Sequence, residues 1–215
     1  GFDRVYVGTV EGAEGAGALS GIQGTFQIDG EGPEAKDELF INDQSADVGQ
    51  TFVVTNQLDA VATTLQDGSS WYFDTTTVAH GGMANISYRR METVVLNAGQ
   101  AADTINLHAT HREQAPSGKN STFTVNSGGG SDTINLGNGT LQGFAIDTDP
   151  MVPGARGIPV MVNGQGGSDD VHFLDGSATV NSVLGFLTRS FAEIFPTNPP
   201  QAPAVPQKAR RWWRW

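Results

Sequence analysis

Aspartates at positions 37, 103, 132 and 169 recur in one local setting: an apolar residue, Asn or Asp, a small Gly-rich run, the Asp itself, then alternating apolar residues. The copies read Leu96-Asn97-Ala-Gly-Gln-Ala-Ala-Asp103-Thr-Ile105-Asn-Leu107, Val125-Asn126-Ser-Gly-Gly-Gly-Ser-Asp132-Thr-Ile134-Asn-Leu136 and Val162-Asn163-Gly-Gln-Gly-Gly-Ser-Asp169-Asp-Val171-His-Phe173. A looser copy runs from Ile28-Asp29 to Asp37-Glu-Leu39-Phe-Ile41 with two extra turn residues. Carboxylates repeated beside turn carbonyls are the oxygen donors of a hard cation, which takes about six to eight of them. The same residues also serve architecture. Gly admits positive φ, Asp and Asn side chains satisfy turn backbone groups, and Asn97, Asn126 and Asn163 can stack as a hydrogen-bonded ladder. The motifs stand singly, 66, 29 and 37 residues apart, which favours the architectural use.

Other chemistry is sparse. The four histidines, His80, His108, His111 and His172, show no His-Glu-x-x-His or comparable ligand spacing. His108 and His111 fall where a strand runs into a loop and read as an exposed polar pair; His172 takes the outward register between Val171 and Phe173. No Gly-x-Ser-x-Gly elbow or phosphate loop occurs. Asp132, Asp169 and Asp170 could mimic the acidic cluster of a polysaccharide-cleaving site, but no Lys or Arg stands at an equivalent register. The reading is therefore no enzyme, with a carbohydrate-active protein using the acidic face as the alternative. Asn85, Asn120 and Asn138 head Asn-x-Ser/Thr sequons.

The elements that must position these residues follow from the spacing. Thr104-Ile105-Asn106-Leu107 and Thr133-Ile134-Asn135-Leu136 alternate at period two and read as strands, each entered through the Gly-rich turn. Repeats at roughly 20 to 50 residues imply stacked units sharing one core. The expected fold is all-β, a parallel β-helix (β-solenoid) of about five coils with long loop excursions. Leu39, Ile105, Ile134 and Val171 would form one inward row, and Ile41, Leu107, Leu136 and Phe173 the next. A degenerate copy is expected at Asp67-Gly68-Ser-Ser-Trp71-Tyr-Phe73.

Residues 1–24 read as a strand and a Gly/Ala-rich loop, and residues 25–180 as the repeats. Thr110 to Asn120 and Asp147 to Gly157 read as surface excursions. Val183, Leu184, Leu187, Phe191, Ile194 and Phe195 fall at helical spacing and predict an amphipathic capping helix over 181–195. Residues 196–207 hold five of the ten prolines and read as an extended linker before a cationic tail, 208–215.

Composition bounds the partners. The 215 residues carry a net charge of −11, and four of the 12 basic residues sit in the last eight positions. The acidic body argues against nucleic acid as its partner and is compatible with cation binding. There is no Cys, hence no disulfide framework. Starting at Gly1 without Met, the chain reads as a processed or excised piece. Gly, 28 residues, is in excess, concentrated in turns rather than in a low-complexity tract.

Ser127-Gly-Gly-Gly-Ser-Asp132-Thr-Ile-Asn resembles the Gly-Gly-x-Gly-x-Asp nonapeptide of calcium-binding repeat toxins, with Ser for the first Gly, and Gly164 to His172 resembles it with Gln165 for the second. Leu19 to Ile28 and Ile86 to Asn97, with Tyr88 and Glu92 leading into the Asp103 strand, are similar to bacterial secreted or cell-surface calcium-binding, haemolysin-type repeat proteins. The resemblance covers roughly residues 19–178. It implies a secreted or cell-surface structural or adhesive segment, with Ca2+ at Asp103, Asp132, Asp169 and Asp170. Implied partners are neighbouring copies, other surface-layer proteins or polysaccharide. The tail Arg210-Arg211-Trp212-Trp213-Arg214-Trp215 is similar to synthetic Arg/Trp antimicrobial hexapeptides, which implies contact with an anionic membrane or an acidic protein face. A third reading is thus a scaffold carrying a membrane-active tail.

Overall fold

The computed structural model describes residues 2–8, 17–30, 36–58, 63–64, 70–71, 74–81, 85–113, 121–139, 141, 144 and 156–176. These form sixteen short strands. A five-stranded sheet is built from β1 (Arg4–Val7), β3 (Glu38–Asn42), β9 (Thr93–Asn97), β12 (Thr122–Gly128) and β15 (Val160–Gly164), in that spatial order. All its pairings are parallel. A seven-stranded sheet has the order β16 (Asp170–Phe173), β13 (Thr133–Leu136), β10 (Thr104–Leu107), β4 (Thr51–Leu58), β7 (Asp74–His80), β8 (Ile86–Arg89) and β2 (Phe26–Asp29).

The second sheet is mixed, because β7 runs antiparallel to both β4 and β8. That finding overturns the expected parallel β-helix of about five coils. From β9 onward the chain does cross between the sheets at each Gly-rich turn. Before that, β7 and β8 lie beside β4 in the same sheet, an insertion without the Asn-to-Asp phrase. Among the described residues there is no helix, and the predicted helix over 181–195, the linker and the tail lie outside them.

One core is shared by both sheets. Strict alternation of burial, as in β7, β9, β10 and β13, follows from the period-two pattern that hides every second side chain. The register corrects the expected rows. Ile105, Ile134 and Val171 do align, but their fourth member is Phe52; Leu107, Leu136 and Phe173 align with Val54. Leu39 and Ile41 belong to the other sheet, in rows with Val94 and Leu96. The fourth copy of the phrase is thus Ile41-Asn42 through Gln50-Thr51-Phe52, in which Gln50 takes the place of Asp. Its disguise is that Gln and a turn two residues longer.

Most of the degenerate copy expected at 67–73 lies outside the described residues; its Ser70–Trp71 pairs antiparallel with Thr63–Thr64. The two predicted excursions meet, since β11 (Arg112–Glu113) pairs antiparallel with β14 (Arg156–Gly157). Asp29, read as the head of the loose copy, instead ends β2 and binds Arg89 and Arg90 through its carboxylate at 2.9 and 2.6 Å.

Candidate functional site

Three of the nominated aspartates, Asp103, Asp132 and Asp169, stand immediately before successive strands of the seven-stranded sheet. Gln50, Asp103, Asp132 and Asp169 precede Thr51, Thr104, Thr133 and Asp170, which are register partners. Each rung's amide donates to the carboxylate of the next. Gln50 N donates to Asp103 Oδ1 at 2.7 Å, Asp103 N to Asp132 Oδ1 at 2.8 Å, and Asp132 N to Asp169 Oδ1 at 3.1 Å. Asp103 Oδ2 also accepts the Gly99 amide from its own turn at 2.9 Å. A turn amide removed from water needs an acceptor, and a charged one is stronger than a neutral one.

The cost is electrostatic. Asp103 and Asp132 are 2% and 1% exposed. Burial raises the pKa of both above the usual carboxylate value; the amide bonds oppose it, and the charge of the next Asp in the column adds to it. Asp169 is half-buried and Asp170 exposed, with Asp170 lying in the strand itself rather than in the turn. Among the described residues no three His, Cys, Asp or Glu side chains form a group able to hold a metal ion.

The five-stranded sheet carries the same device at the positions before its strands. Asp3 N donates to Asp37 Oδ1 at 3.0 Å, and Asp37 N to Glu92 Oε2 at 2.7 Å. Asp37 therefore belongs to this second column, not to that of Asp103. A rung filled by Glu rather than Asp, and far from any Gly run, leaves little signal in sequence.

Asparagines mark the other ends of these strands. Asn97 donates to Asn42, Asn126 to Asn97 and Asn163 to Asn126, Nδ2 to Oδ1, at 2.6, 2.6 and 2.8 Å. The ladder expected of Asn97, Asn126 and Asn163 thus gains Asn42. A shorter one joins Asn135 to Asn106 at 2.8 Å, with exposed His172 beyond it in register. The turns between stack backbone on backbone, Gly129 N to Gly99 O at 2.9 Å and Gly166 N to Gly128 O at 3.0 Å. Gly128 has φ of +88°, and a Cβ there would run into the Gly99 carbonyl. Glycine is required at this position for both reasons.

Two histidines, His80 and His111, are buried. His80 Nε2 lies 3.1 Å from Asp43 Oδ2, both side chains 2% exposed, while Asp43 Oδ1 accepts the Leu19 amide at 2.8 Å. His80 ends β7 and Asp43 follows β3, so this pair ties the N-terminal loop, the first Asn-bearing turn and the antiparallel insertion together. His111, expected exposed, is buried edge-on to Tyr88, its Nδ1 3.2 Å from the Tyr88 hydroxyl. His108 is half-buried. Burial drives the His111 pKa down to about 3 and lifts that of Tyr88 well above the ordinary phenol value. Nearby, Asn56 Nδ2 bridges Asp74 Oδ2 and the Thr110 carbonyl at 2.6 and 2.8 Å. Asn85 and Asn138 are exposed, whereas Asn120 and the tail residues 210–215 lie outside the described residues.

Comparison with protein-family models, with curated proteins and with solved structures returns no match.

Proposed function

We propose that this chain is a non-enzymatic structural or adhesive segment of a secreted or cell-surface protein, whose Asp and Asn columns hold strands in register. One observation carries the reading: the carboxylates of Asp103, Asp132 and Asp169 each accept a backbone amide from the neighbouring rung. Asp103 and Asp132, buried and capped in that way, are poorly placed to reach a polysaccharide, which disfavours the carbohydrate-active alternative. The placement at a cell surface rests on the sequence phrases of residues 19–178.

The test is thermal unfolding in Ca2+ against chelator, together with incubation of the protein with neutral and acidic polysaccharides. The amide-capping reading expects the same midpoint in both conditions and no release of reducing or unsaturated ends. A ligand that binds only the native state must raise the midpoint. A rise in Ca2+ would therefore assign the Asp column to metal, and new chain ends would make the protein an enzyme.

A further inference from the structure

Both edges of the five-stranded sheet are complementary, and the geometry points to parallel pairing of β15 in one copy with β1 in a second copy of this chain. The inference is independent of whether the protein is an enzyme. Among the described residues, β1 and β15 are the two edges of a sheet whose strands all run the same way. A parallel sheet can therefore be continued from β15 by another β1 without reversing direction, and an uncovered edge is a template for such addition.

Register fixes which residues would meet. Val5, Tyr6 and Val7 pair with Leu39, Phe40 and Ile41; through β9 and β12 these rows reach Val160, Met161 and Val162. A second copy in the same register sets Val5 on Val160 and Val7 on Val162 within the core rows. On the outer face Tyr6 meets Met161. These two outer side chains are 39% and 46% exposed, a thioether and a ring left uncovered at opposite edges. Tyr6 already stacks on Phe40 at 4.9 Å, so Met161 would extend an existing outer stripe.

The amide-to-carboxylate series has a direction that suits the same junction. Asp3 gives its amide to Asp37, and Asp37 gives its own to Glu92. The positions that continue this column on β12 and β15, Ser121 and Ile158, carry no carboxylate. The exposed Asp3 carboxylate of a second copy would stand next to Ile158 in this column, on the side that accepts an amide. Because opposite edges pair, the contact is heterologous and open-ended, and it yields a series of sizes rather than a closed dimer.

Sedimentation velocity of the full chain over a wide concentration range tests this, with Met161→Glu, Tyr6→Lys and the double variant compared. Wild type is expected to form species of increasing mass with concentration. Each single variant should lose them while keeping the wild-type far-UV circular dichroism, and the double variant should recover them through the Glu–Lys pair. A wild type that stays monomeric at every concentration overturns the proposal. So does association that survives both single substitutions, which would place the contact elsewhere.

Discussion

Replacing Asp132 by Ala and by Asn separates the amide cap from the charge. Asp132 Oδ1 accepts the buried Asp103 amide at 2.8 Å. Ala removes the acceptor and strands the donor, which costs the desolvation of a buried polar group, about 1 to 3 kcal/mol. Adding the loss of a charge-assisted bond puts the effect toward the top of that range, about 2 to 3 kcal/mol. Asn keeps an oxygen at the same reach. It gives up a charge that burial and the neighbouring Asp169 already oppose, as the raised pKa of Asp132 records. Asn should therefore cost less than about 1 kcal/mol. Urea unfolding at neutral pH reads the difference. With a slope of about 2 to 3 kcal/mol/M for a chain of this size, the midpoint should fall by about 1 M for Ala and by a third of that or less for Asn. Equal losses for the two variants would refute the cap reasoning, because Asn keeps the oxygen that accepts the Asp103 amide and Ala does not.

Acid should destabilise the protein through His111. Its folded pKa of about 3 lies below the ordinary 6.5, so between these values the unfolded chain binds the extra proton and stability falls with pH, by about 4 to 5 kcal/mol once pH 3 is reached. Asp103 and Asp132 act in the opposite sense: their raised folded values make the native state bind protons first, adding stability as pH falls toward the carboxylate range. In a pH series of urea midpoints, His111→Gln should flatten the loss below pH 6.5, and an unchanged slope would exclude His111 as its cause. Asn126→Ala removes one ladder bond on each side, at 2.6 and 2.8 Å, and should cost about 1 to 2 kcal/mol in the same assay. Gly128→Ala meets both the positive φ and the Gly99 carbonyl and should cost more than about 2 kcal/mol; a near-neutral result would mean the turn stack yields easily.

Much of the candidate site could be read from residue spacing. A period-two alternation after each Asp could only hide one face of a strand, and equal offsets between Asn97 and Asp103, Asn126 and Asp132, and Asn163 and Asp169 forced those residues into common columns. Strand type, the Asn ladder and the aligned Asp turns follow from such local rules. Which strands are neighbours does not. Leu39 and Ile105 satisfy the same alternation, yet they lie in different sheets, because register is decided by hydrogen bonds between segments far apart in sequence. The antiparallel insertion of β7 and the burial of His80 and His111 share that cause. Asp43 and Tyr88 reach those rings only after β3, β7 and β8 have packed, and desolvation then sets their chemistry. The recurring aspartates likewise announced a turn from sequence alone. Only the stacked backbone, with an amide placed about 3 Å from each carboxylate, showed what those carboxylates bind.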